Sequence, residues 1–224
     1  MEINRFSLSL LRRFLTTAKA ERQPLSLRQN TRPGPFFTAM AVLSAFLMLC
    51  AFGGPADAQD KTFKRTIESY TIPDVTLVNQ NGAKVRIKSL LQSDKPVVVD
   101  FIFGTCTTIC PVLSAGLASL QHQLGADARK VQLVSISIDP ENDTPKVMKD
   151  YLSKFGAKPG WDFLTGTRAD IDKVMYAFSA YIPNKMDHYP LTLIRGPGDG
   201  RWIRIRGLMG GAEFMGECQK AGLK

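Results

Sequence analysis

The segment "PVVVDFIFGTCTTICPVLSAGLASLQHQLGA", residues 96–126, decides the fold. Its first part, Val97 to Phe103, is a β-branched and aromatic run of the kind found in a central strand buried on both faces. Asp100 interrupts that run with a single carboxylate. Further on, Val112, Leu113, Leu117, Leu120 and Leu124 recur near a 3.6-residue period, which predicts an amphipathic helix. Pro111 suits the first helical position and biases Cys110 away from the α region. The helix is therefore expected to begin at about Pro111, with "CTTIC" as a loop.

Strands and helices alternate outward from this segment. From Ile72, "IPDVTLVNQNGAKVRI" reads as two strands joined by "NQNG", where Asn-Gly supplies the positive φ of a tight hairpin, and "KSLLQSD" as one helical turn. "KVQLVSISID" is a second buried strand. "DTPKVMKDYLSKFG" is a helix with Thr144 as N-cap, Pro145 at its first position and Gly156 past its end. "WDFLTG" reads as a strand, "RADIDKVMYAFSAY" as a helix, "YPLTLIRGPGDGRWIRIRG" as a hairpin and "GAEFMGECQKAG" as a short helix. The order predicts an α/β fold, a mixed sheet flanked by helices with an extra N-terminal β-hairpin. The cysteines then fall where a central strand meets a helix, the place where open α/β sheets bind ligands.

The chain has 224 residues and is 44% apolar, enough for one ordinary core plus an extension. Residues 1–58 are that extension. Seven basic residues precede an apolar run from Phe36 to Phe52, and "GGPADAQD" follows. This is the pattern of a secretory signal cleaved after Ala58, or of an N-terminal membrane anchor if uncleaved. Arg12 and Arg13 lie too far from the apolar run for a usual twin-arginine signal, and Leu49 is too large for lipid attachment at Cys50. Residues 59–224 form the folded domain, expected on the periplasmic side and, if anchored, on the inner membrane.

Of the 29 basic and 20 acidic residues, seven and three lie in the first 58, so the net charge of +9 falls to about +5 for the domain. No basic cluster is interleaved with aromatics, which argues against a nucleic-acid partner. Outside the cytosol two nearby thiols oxidise unless they are kept reduced or metal-bound.

Three readings fit Cys106 and Cys110: a structural bridge, a redox couple and a metal claw. Unpaired N–H groups at the helix start favour thiolate at the nearer cysteine. A redox dithiol usually has two intervening residues; three slacken the loop and let the sulfurs spread around a shared ion. Two thiolates suit Cu(I) or Zn and call for a further ligand. Of the two histidines, His122 falls mid-helix, about three turns past Cys110, and points elsewhere. His188, in the loop entering the final hairpin, is the better candidate, with neighbouring Asp187 as a second-shell partner. Asp139 lies at a strand end that could approach the cysteine loop, and Cys218 reads as a small buried thiol. A peroxidase would need a proline at position 103, where Phe103 stands.

"FIFGTCTTICP", "VSISIDPENDTP", "WDFLTG" and "DHYPLTLIRGPGDG" occur in the order and at roughly the spacing of the Sco/SenC family, which this sequence resembles from about Ile72 to Gly207. The resemblance implies a thioredoxin-like fold and copper, as Cu(I) or Cu(II), bound by Cys106, Cys110 and His188. It also implies an exported, often membrane-anchored protein that delivers copper to the binuclear copper centre of cytochrome c oxidase or reduces cysteines there. Tyr189 and Pro190 after the histidine depart from the family pattern. Pro190 resembles the cis-proline that faces the cysteines of thioredoxins, which would favour Cys106 and Cys110 as catalytic redox thiols; a trans proline opening a strand is the other reading.

Overall fold

The computed structural model describes residues 62–223, so the signal or anchor, the arginine pair and Cys50 lie outside the described residues. The strands are β1 (Phe63–Ser69), β2 (Thr76–Asn79), β3 (Lys84–Arg86), β4 (Val97–Ile102), β5 (Gln132–Ser137), β6 (Trp161–Thr165), β7 (Leu191–Arg195) and β8 (Arg201–Gly207). The helices are α1 (Ile87–Leu91), α2 (Ile109–Leu124), α3 (Pro145–Lys154), α4 (Arg168–Ala177) and α5 (Gly211–Lys220). No described helix is long and apolar enough to cross a membrane.

All eight strands of the described residues join one mixed sheet in the order β1-β8-β7-β4-β5-β6-β2-β3. Every residue of β4 is buried, as its apolar run requires, because β4 pairs in parallel with β5 and antiparallel with β7. Successive side chains point to opposite faces, so Phe101 meets Phe178 at the end of α4 while Asp100 faces α2 and α5. On that second face Ser114 of α2 hydrogen-bonds Tyr151 of α3 at 2.9 Å, and Tyr151 packs edge-on against Phe163 of β6.

The N-terminal hairpin is β2 and β3, turned by Gly82 at φ 77°, and it extends the sheet through β6. Thr144 caps α3 as expected, accepting from the Val147 N–H, with Pro145 in the first turn. Two features differ from the sequence reading. The strand β1 was not anticipated, yet all seven of its residues pair antiparallel with β8. Only Phe63 of β1 is buried, so this edge strand carries too little apolar alternation to announce itself.

The second difference concerns the cysteines. Helix α2 starts at Ile109 behind Thr108, so Cys110 sits in its first turn and only Cys106 lies in the loop. The first N–H groups of a helix have no partner within it, so Pro111 loses no hydrogen bond there. Its steric bias on Cys110 is overridden by packing, since Cys110 is fully buried.

Candidate metal centre

The carboxyl end of β4 runs straight into the cysteine loop. Thr192 of β7 lies opposite Asp100, so the chain entering β7 passes the segment that leaves β4. His188 thereby reaches the cysteines from 78 residues away, and its ring packs edge-on against Phe103 at 5.1 Å. The Sγ atoms of Cys106 and Cys110 and a ring nitrogen of His188 all lie within 4.8 Å of one another. All three described cysteines are free thiols, so no structural bridge is present among the described residues.

The imidazole is oriented by its own loop. Its Nδ1 is 2.8 Å from the Lys185 carbonyl oxygen, which fixes Nδ1–H as donor and leaves the Nε2 lone pair facing Cys110 Sγ at 3.2 Å. Burial holds the His188 pKa below its usual value, against the pull of that carbonyl, so the ring is a neutral ligand. Asp187 is exposed, and the second-shell partner is the Lys185 carbonyl in its place.

The two thiols are held unlike each other. Burial pushes the Cys110 thiol well up, and the neighbouring Cys106 adds to the rise. Burial also acts on Cys106, but hydrogen bonds from the Cys110 side chain, from the Cys110 and Thr108 backbone and from the Thr108 hydroxyl outweigh it, and its pKa falls. The helix start thus stabilises thiolate at the loop cysteine rather than at Cys110, the nearer one in sequence. The amides of the first turn point at Cys106, whereas Cys110 is buried within that turn.

One loop braces both arms of the site. Asp143, fully buried, accepts from the Gly104 N–H at 3.0 Å and from the Ser137 hydroxyl at 2.5 Å. A side chain at Gly104 would put its Cβ 2.8 Å from that carboxylate, so the brace requires glycine. Asp139 does not bond the cysteine loop; it pairs with Lys185 at 2.5 Å and so anchors the turn that orients His188. The sequence reading missed Asp143 and Lys185; "DPEND" carried the only signal, three acids at a strand end.

The remaining candidates are placed elsewhere. His122 is exposed on α2, as expected. Cys218 is fully buried on α5, where burial pushes its pKa up to about 12. No described peptide bond is cis, so Pro190 is trans and opens β7 as an ordinary proline. Tyr189 before it packs under Arg206 at 4.0 Å and accepts a hydrogen bond from Arg204, which ties the histidine loop to β8.

The sequence model of the SCO1/SenC family matches residues 64–199. This chain belongs to the SCO1/SenC family. The SCO1 protein homolog of Bacillus subtilis is 36% identical over 167 residues, which is 71% of this chain and 81% of that protein. Protein SenC of Rhodobacter capsulatus is 32% identical over 124 residues, 55% of this chain and 50% of that protein. Among solved structures, BsSco, described as a Sco cytochrome c oxidase assembly protein with a disulfide switch, superposes with a TM-score of 0.58 at 30% identity, over 71% of this chain and 98% of that one. Bradyrhizobium japonicum ScoI with copper bound superposes with a TM-score of 0.56 at 31% identity, over 67% and 99%. The SCO1/SenC fold is thus the thioredoxin-like mixed sheet expected from the sequence, and it joins the two cysteines and the histidine at one end of β4.

Proposed function

We propose that this SCO1/SenC protein is an exported copper-binding chaperone whose cargo is held by Cys106, Cys110 and His188. The observation that carries the reading is the convergence of two thiols and a neutral imidazole within 4.8 Å, on elements braced by Asp143 and Lys185. Two soft sulfurs and one nitrogen suit Cu(I), and an imidazole also suits Cu(II). Copper would be received and passed on by ligand exchange, with a copper-site protein such as a cytochrome c oxidase subunit as acceptor. The basic, apolar N-terminal segment supports a periplasm-facing location, anchored in the inner membrane if it is retained.

A second reading uses the same thiols. The lowered pKa of Cys106 beside a second thiol suits attack of its thiolate on a partner disulfide. Cys110 then resolves the mixed disulfide, leaving Cys106 and Cys110 oxidised and the partner with two thiols. This reading does not require His188.

Anaerobic copper titration of the reduced full chain separates the two. The copper reading expects one equivalent bound by wild type, none by the Cys106→Ser, Cys110→Ser double variant, and loss of the thiolate-to-Cu(II) absorption in His188→Ala. Equal binding by wild type and the double variant would overturn the assignment. Full activity in cells for His188→Ala would favour the thiol reading.

A further inference from the structure

A cleft of about 270 Å³ opens between α2 and α5, on the sheet face that carries Asp100. Its walls include Val112 and Gly116 of α2, Met209 after β8 and Phe214 of α5, and its floor includes Asp100 of β4 and Thr192 of β7. Asp100 is 1% exposed, and neither carboxylate oxygen has a hydrogen-bond partner. The other buried carboxylates among the described residues are all engaged: Asp139 by Lys185, Asp143 by Ser137 and Gly104, Glu217 by Arg65 and Lys220. A buried acceptor left unmet is costly, and folded proteins contain few of them. Asp100 is thus a buried carboxylate kept without a partner at the bottom of an apolar cleft.

A second observation concerns Gly116. It lies inside α2, where glycine is destabilising relative to alanine. Its helix needs no glycine there: an added Cβ would meet only Phe214 ring carbons, at 3.7 and 3.8 Å, which is ordinary contact. Gly116 lines the same cleft as Asp100, and its missing side chain leaves that space open.

We propose that this cleft binds a compact apolar primary amine, with its ammonium group donating to the Asp100 carboxylate and its apolar body against Met209 and Phe214. An anion is repelled by the carboxylate, and a pure hydrocarbon leaves the carboxylate oxygens unmet. A long polar ligand would strand its own polar groups against the apolar walls. The volume lies just below the range of about 300–1,000 Å³ for drug-sized ligands, so the body is the size of a single ring. The cleft contains none of Cys106, Cys110 and His188, and the inference stands whether or not copper binds.

The test titrates the reduced, metal-free full chain with benzylamine, toluene and benzoate, following the Met209 and Val112 methyl resonances by NMR. Benzylamine is expected to shift both methyls saturably, with toluene and benzoate at least tenfold weaker. Asp100→Asn is expected to weaken benzylamine at least tenfold, and Gly116→Leu, which fills the cleft, to abolish the shifts. Circular dichroism checks that both variants fold, and the three-probe comparison on wild type decides the matter without them. Equal response to toluene and benzylamine, unchanged affinity in a folded Asp100→Asn, or no shift at all would overturn the proposal.

Discussion

Replacing Asp100 with asparagine should make the protein more stable at alkaline pH and leave it nearly unchanged in acid. Burial pushes the Asp100 pKa from the ordinary 3.8 up to about 7; the Ser135 hydroxyl and the Asp100 backbone lie close enough to temper the rise without forming a hydrogen bond to either carboxylate oxygen. An acid with a raised folded-state pKa holds its proton longer in the folded state than in the unfolded one. Its penalty is absent below about pH 4, grows as pH rises, and is complete above about pH 7. A rise from 3.8 to about 7 at about 1.4 kcal/mol per pKa unit bounds the loss at roughly 4 kcal/mol. Asparagine never ionises, so urea unfolding of the variant should lack that slope. The stability difference between variant and wild type should therefore widen by up to about 4 kcal/mol between pH 4 and pH 8. Other titrating groups are common to both proteins and largely cancel in the difference. Parallel stability curves over that interval would show that Asp100 is solvated or paired in the folded state and would refute the reasoning.

Three further outcomes follow from the site. Iodoacetamide at neutral pH should label Cys106 well before Cys110 and leave Cys218 untouched in the folded state, as peptide mass spectrometry would show; preferential labelling of Cys110 would reverse the assigned acidities. Asp143→Ala strands the Gly104 amide and the Ser137 hydroxyl, so urea unfolding should register a loss of about 2–4 kcal/mol, with weaker copper binding by titration. Lys185→Met leaves the Asp139 carboxylate, 5% exposed, with only its Asn142 hydrogen bonds; a loss of about 1–3 kcal/mol is expected, and the His188 ring resonances should broaden as its turn loosens.

The parts of the fold that were legible are those whose pattern is local. Strand β4 is buried along its whole length and reads as an unbroken apolar run; α3 carries its cap, its proline and its terminal glycine in the sequence. Strand β1 is held by its register with β8, not by an apolar face, and "FKRTIES" has no periodicity to betray it. The start of α2 was misplaced because proline's local preference was set against burial of Cys110, which only the packed core supplies. The three proposed ligands could be named from residue type and the family resemblance. Their supports could not, because Asp143 reaches Gly104 across 39 residues and Lys185 reaches Asp139 across 46.

The inequality of the two thiols bears on both readings of the site. Cys110, fully buried, lies 3.2 Å from the half-buried His188, whose Nε2 lone pair faces its sulfur. Cys106 lies in the loop within the same cluster, with its thiolate favoured by the Cys110 side chain and by the amides of the helix start. On either proposed reading, Cys106 would be the atom from which exchange begins, whether the incoming group is a partner's copper or a partner's disulfide sulfur. Cys110 would enter second in both cases, because its proton must leave a buried position before its sulfur can ligate or attack. The readings part only at His188. In copper transfer its lone pair becomes a ligand once Cys110 has lost its proton; in disulfide reduction the same nitrogen only lies beside the departing proton. Removing the imidazole should then abolish copper retention, while the rate at which Cys106 opens a small disulfide stays within a few-fold of wild type. A comparable loss of both would mean that His188 serves to hold the cysteine loop rather than to bind metal.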